Sequence, residues 1–214
     1  MMADDTLRWW LLGALLVPLP IVMYHRVKAH RSGDRLDRRQ EGLFILLTLR
    51  PIALVFLVSF GLYVWSPARM AWSTVALPAW VRWLGVGLIV ADGVLLWWTL
   101  HSLGTNLTDT VVTRKAHTLV ITGPYRWVRH PFYDAVALLL VAISLAAANW
   151  FMLVIAITVV ALLALRTSRE EHILAVRFGN DYRTYMARTN RFLPKRADLS
   201  RASAANQRAR SERW

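Results

Sequence analysis

The chain has 214 residues, 56% of them hydrophobic, and a formal net charge of +13. It contains no cysteine, which excludes disulfides, thiolate metal sites and cysteine nucleophiles. Nucleic-acid binding would suit so basic a chain, but no nucleic-acid-binding fold signature occurs and membrane orientation accounts for the charge.

Three apolar stretches come first, Leu7–Tyr24, Leu43–Trp65 and Trp80–Leu100, each near the ~20 residues that span a bilayer. A soluble helical bundle would need polar helix faces, and these segments have almost none. The first stretch reads as a retained span. Its flank, Met-Met-Ala-Asp-Asp, is acidic where a signal peptide is basic, and Pro18 and Pro20 interrupt it with no small-residue cleavage site following. Further along, the 31 residues Ala135–Leu165 carry no charge. As one helix they would run roughly 46 Å against a bilayer core of about 30 Å, so the length predicts two helices meeting at Asn149-Trp150.

Charge and tryptophan set the orientation. The loop after the first span holds Arg26, Lys28, Arg31, Arg35, Arg38 and Arg39; the next basic loop holds Arg114, Lys115, Arg126 and Arg129; twelve basic residues follow from Arg166 onward. The opposite loop, Ser66–Ala79, has only Arg69. By the positive-inside rule the basic loops and the C-terminus are cytoplasmic and the N-terminus outside, as in a bacterial inner membrane. Trp9, Trp10, Trp65, Trp72, Trp80, Trp83 and Trp150 fall near the outer boundary, and Trp97, Trp98 and Trp127 near the inner one. The expected fold is an all-α integral membrane protein with five transmembrane helices, the last two forming a short helical hairpin, and a cytoplasmic C-terminal helical segment. Residues 1–80 form the N-terminal helices and basic loop, 81–194 a core, and 195–214 a basic, disordered tail attractive to anionic lipid. Asp92 and Arg50 have matching depths in the second and third spans, which predicts a structural pair.

A hairpin brings its two polar flanks to one membrane face. Before it, Gly123-Pro124-Tyr125 signals a turn and Pro131 stops any helix running through; His117, Tyr125, Arg126, Arg129, His130 and Tyr133 surround that turn. After it, Arg166 and Glu170 share a helix face and Glu171 follows, with Ile173, Leu174 and Phe178 as an apolar stripe. An acidic pair among arginines at the bilayer edge points to a cationic ligand. No histidine cluster or His-Glu-x-x-His helix occurs, so no metal site is expected, and His25, His30 and His101 read as interfacial or structural.

The pattern His-x-Leu-Val-x-x-Gly-Pro-Tyr-x-x-x-Arg-His-Pro-x-Tyr, an apolar hairpin, then Arg-x-x-x-Glu-Glu-x-x-Leu and Phe-Gly-x-x-Tyr-x-x-Tyr resembles the isoprenylcysteine carboxyl methyltransferase family. Leu103-Gly104-Thr105-Asn106 and Arg191-Phe192-Leu193-Pro194 also fit, so the resemblance covers about residues 97 to 194. It implies S-adenosyl-L-methionine bound without a Rossmann fold, by His117, Thr118, Leu119, Val120, Tyr125, His130, Pro131, Phe132, Tyr133 and Glu170, with Arg166 facing the methyl acceptor. Gly85-Val86-Gly87 lacks the third glycine of a dinucleotide fingerprint and suits close helix packing instead. Ala135 stands where the family usually has glycine, which bears on acceptor identity.

The expected function is methyl transfer to a lipophilic or small acceptor at the cytoplasmic face, with membrane lipid as surroundings. A carboxylate acceptor needs a cationic fork, from Arg166 or Arg129. An amine or thiol needs a base, with Glu171 or His172 nearest. The alternatives are an enzyme similar to membrane sterol or steroid reductases using NADPH, and a non-enzymatic membrane scaffold.

Overall fold

The computed structural model describes residues 2–31, 45–104 and 118–195. Six α-helices account for most of them: α1 (Met2–Leu15), α2 (Pro18–Arg31), α3 (Arg50–Trp65), α4 (Ala79–Leu103), α5 (Pro131–Ala146) and α6 (Trp150–Arg188). There is no strand among the described residues, only isolated bridges between Thr74 and Asn149 and between Val128 and Asn190. Four long apolar segments, Thr6–Lys28, Leu47–Trp65, Ala79–Leu103 and Trp150–Arg188, join the shorter Pro131–Ala146 in an all-helical membrane protein. Arg35, Arg38, Arg39, Thr105-Asn106, Arg114, Lys115, His117 and the tail from 196 onward lie outside the described residues.

The first span is broken. Prolines at 18 and 20 have no N–H to give, and the chain tightens before them with Leu16 N–H to Gly13 O (3.1 Å) and Val17 N–H to Ala14 O (3.2 Å). α4 is the central helix, packed against α1, α2 and α5, while α3 leans on α6. Gly85 permits the α4–α5 approach: a Cβ there would lie 2.7 Å from Ala146 N and 2.8 Å from Ala142 O. Gly87 faces open space, so only the first of the two glycines serves packing. The core is continuous through Leu11, Ile89, Ala142, Ala146, Met152 and Ala156.

The hairpin turns through residues 147–149. Ala148 takes a left-handed φ of 49°, and Asn149 caps α6 by accepting from Met152 N–H at 2.9 Å. Its amide also donates to Ser73 Oγ (2.7 Å), and Val75 N–H donates to Ala148 O (2.8 Å), so the segment between α3 and α4 ties down the turn. The two arms are unequal: α5 has 16 residues, and α6 has 39, continuing from the apolar region into the polar segment, with a break at Gly179. Tryptophan gathers as expected, with Trp10 on Trp83 (6.0 Å) and Trp72 on Trp150 (5.7 Å) at the turn end, and Trp98 on Trp127 (5.3 Å) at the other.

The Asp92–Arg50 pair does not form. Asp92 is fully buried in the stripe Gly85, Ile89, Asp92, Leu96 of α4, and neither carboxylate oxygen has a hydrogen-bond partner among the described residues. Arg50 is exposed at the start of α3, the helix that packs on α6. The expected match in depth fails because Arg50 opens α3 while Asp92 sits in the middle of α4, and α3 packs on α6 while α4 packs on α5.

Candidate active site

After residues 118–122, with Thr118 exposed, Leu119 and Val120 half-buried and Thr122 extended, the chain makes one 3₁₀ turn over Gly123–Arg126. Gly123 is required twice: its φ is +60°, and a Cβ would fall 2.1 Å from Ser102 Oγ on α4. Residues 128–130 then run beside the chain that follows α6, with Arg129 N–H donating to Asn190 O (2.9 Å) and His130 N–H to Arg191 O (3.0 Å). Pro131 opens α5, where its missing N–H costs nothing.

Glu171 closes a clasp across this junction. Its Oε1 accepts from Arg129 Nε (2.7 Å) with His130 Nε2 at 3.3 Å, and its Oε2 accepts from Arg191 Nη2 (2.7 Å) and Nε (3.0 Å). Arg129 Nη1 reaches on to the carbonyls of Met186 (3.2 Å) and Thr189, capping the end of α6. The hydrogen bond to Glu171 pushes the Arg191 guanidinium up from its ordinary value. The helix break at Gly179 (φ 56°, ψ −125°) lets the chain double back, and Tyr185 donates to Tyr125 O at 2.6 Å. Burial, and after it the charge of Glu170, push the Tyr125 hydroxyl up from its usual value.

Glu170 serves a separate purpose from its neighbour. It accepts from the Tyr133 hydroxyl at 2.7 Å, and the Tyr133 ring stacks on His130 with centroids 5.4 Å apart and planes 11° apart. The Arg166 guanidinium carbon stands 6.0 Å from the centre of the same tyrosine ring. Arg166 Nε is buried and has no hydrogen-bond partner among the described residues. The acidic pair is therefore divided: Glu171 answers the protein's own cations, and Glu170 alone faces the tyrosine and arginine.

His130, Tyr133, Arg166 and Glu170 thus converge, with Tyr125 buried in the preceding turn and Pro131 buried at the start of α5. Phe132 packs with Ile21, Val22, Leu100 and Leu103, in a small apolar cluster between α2, α4 and α5. His172 is exposed. Arg191 and Tyr185 were legible only as motif letters; their spacing gave no sign that Tyr185 folds back onto Tyr125 and Val128, and Arg191 onto His130. No group of three or more potential metal ligands occurs among the described residues.

Residues 84–176 match the isoprenylcysteine carboxyl methyltransferase (ICMT) family. Among solved structures, the chain is similar to the eukaryotic intramembrane Ras methyltransferase ICMT, at 23% identity and a TM-score of 0.49, over 68% of this chain and 51% of that one. The chain thus matches about half the length of that protein. No curated protein matches the sequence.

Proposed function

We propose that this chain, which belongs to the isoprenylcysteine carboxyl methyltransferase family, is an integral-membrane methyltransferase that uses S-adenosyl-L-methionine to esterify a lipophilic carboxylate. The observation that carries the reading is Arg166, half-buried with its Nε enclosed and unpartnered among the described residues, beside the Tyr133–Glu170 pair.

The donor set fits the cofactor. The faces of Tyr125, Tyr133 and His130 suit a sulfonium cation, and the Glu170 carboxylate suits ribose hydroxyls or an ammonium. Thr118, Leu119, Val120, Pro131 and Phe132 complete the set the family resemblance assigns, with His117 outside the described residues. Bound, S-adenosyl-L-methionine supplies a methyl group already activated as a sulfonium. What remains for the protein is to align the acceptor and keep water out.

The acceptor class follows from what the acidic and basic groups are free to do. An amine or thiol must lose a proton, yet Glu171 is saturated by Arg129 and Arg191, Glu170 is bonded to Tyr133, and His172 is exposed. A carboxylate brings its lone pair without a base and needs only a cation to hold one oxygen while the other meets the methyl group. Arg166 supplies that cation. Arg129, with Nε and Nη1 both engaged inside the protein, acts through Glu171 as a positioning residue. The five apolar segments make five crossings, with the arginine-rich site end on the cytoplasmic side of a bacterial inner membrane.

Labelled methyl transfer by detergent-purified protein into lipophilic carboxylates, amines and thiols tests the reading. The expected product is an alkali-labile methyl ester. Arg166→Ala should lower turnover about 100-fold while S-adenosylhomocysteine still binds, and Glu170→Gln should weaken that binding. An alkali-stable product would remove the carboxylate assignment; stabilisation by NADPH and not by S-adenosylhomocysteine would remove the methyltransferase reading.

A further inference from the structure

Beyond the break at Gly179, α6 turns Tyr182 and Tyr185 inward, their rings 5.9 Å apart. The two hydroxyls differ. Tyr185 donates to Tyr125 O at 2.6 Å, a bond that fastens residues 180–191, the strap that follows the break, to the turn. Tyr182 is only 1% exposed, one of the largest fully buried side chains, and its hydroxyl has no hydrogen-bond partner among the described residues. A phenylalanine would fill the same space without stranding a polar group, so packing does not account for the oxygen.

The Tyr182 ring packs on that of Tyr185, whose hydroxyl holds the Tyr125 carbonyl, which sets Tyr182 against the turn that carries the site, within reach of the charges of Glu171, Arg129 and Glu170. Glu171 has no call on it, since Oε1 takes Arg129 and faces His130, and Oε2 takes both donors of Arg191. A phenol that stays protonated at neutral pH offers its proton to an acceptor brought from outside. Two carboxylates nearby disfavour an anionic acceptor and favour a neutral one.

We propose that Tyr182 is a cofactor-binding residue, its hydroxyl donating to a neutral acceptor of the nucleoside half, a ribose oxygen or an adenine nitrogen. This rests on the methyltransferase reading above. It also gives the strap a function: the Glu171–Arg191 contacts and the 128–190 backbone pairing hold residues 180–191 where Tyr182 completes the site.

The test is Tyr182→Phe in the full chain, purified in detergent, with three measurements. Affinity for S-adenosylhomocysteine should fall about tenfold, as for one buried hydrogen bond lost. Affinity for 5′-methylthioadenosine, which has the nucleoside and lacks the amino acid, should fall by the same factor. The ligand-free protein should melt at the same temperature or higher, because the change deletes a stranded hydroxyl. Unchanged S-adenosylhomocysteine affinity would overturn the proposal. So would a loss confined to S-adenosylhomocysteine, or a lower melting temperature without ligand, which would mean an internal structural partner. If the wild-type protein bound neither compound, the methyltransferase reading itself would fail, a result distinct from all of these.

Discussion

Glu171→Gln keeps the side-chain shape and removes the charge that joins the two halves of the site. The structure assigns unequal stakes to its partners. The Arg129 side chain is 11% exposed and the Arg191 side chain 42%, against 8% for Glu171. Breaking a buried pair by neutralising one member costs about 3–5 kcal/mol, because the other charge stays buried. Arg129 keeps the carbonyls of Met186 and Thr189, so the lower end, about 3 kcal/mol, applies. An exposed pair such as Arg191 with Glu171 is worth about 1 kcal/mol or less. In a protein of this size each kcal/mol moves the melting temperature by about 2–4 °C. Glu171→Gln, which loses both pairs, should therefore lower it by about 6–16 °C, and Arg191→Gln by no more than about 4 °C. Thermal melts of the detergent-purified variants read both values. Arg129→Gln with Glu171→Gln should cost less than the two singles added, since each alone strands the other. A shift below about 2 °C for Glu171→Gln, or equal shifts for Glu171 and Arg191, would refute the reasoning.

Two further outcomes test the scaffold by the same melts. Gly85→Ala places a Cβ 2.7 Å from a backbone nitrogen of α5, and overpacking of this kind should cost about 1–3 kcal/mol, whereas Gly87→Ala, facing open space, should be neutral or mildly stabilising. Asn149→Ala removes both the cap on α6 and the bond to Ser73, for a loss of about 1–3 kcal/mol; a smaller loss than a surface alanine change elsewhere on α6 would mean the turn is held by packing alone.

Much of the site was open to reading because its letters sit at fixed short spacings. Gly123-Pro124-Tyr125, Arg129-His130-Pro131 and Arg166 with Glu170 are each local, and a turn residue, a helix stop or a shared helix face follows from neighbours within a few positions. The acidic pair was misread as one unit for the opposite reason. Adjacent residues on a helix point about 100° apart, so Glu170 and Glu171 meet different partners, and those partners come from α5 and from the chain after α6.

By itself the sequence determined the class of the molecule and the hairpin. Apolar runs near 20 residues can only satisfy their backbone as helices in a bilayer, and a 31-residue uncharged run is too long for one crossing. Tertiary structure decided what lies beside what. The count along the chain gave Asp92 and Arg50 equal depths, yet Arg50 opens α3, which packs on α6, while Asp92 lies in the middle of α4, so the two do not pair with each other. The return of the chain past Gly179 decided that Arg191, Tyr185 and Tyr182 belong with residues 125–130. Such pairings depend on helix rotation and on a single left-handed glycine, quantities that no spacing along the chain encodes.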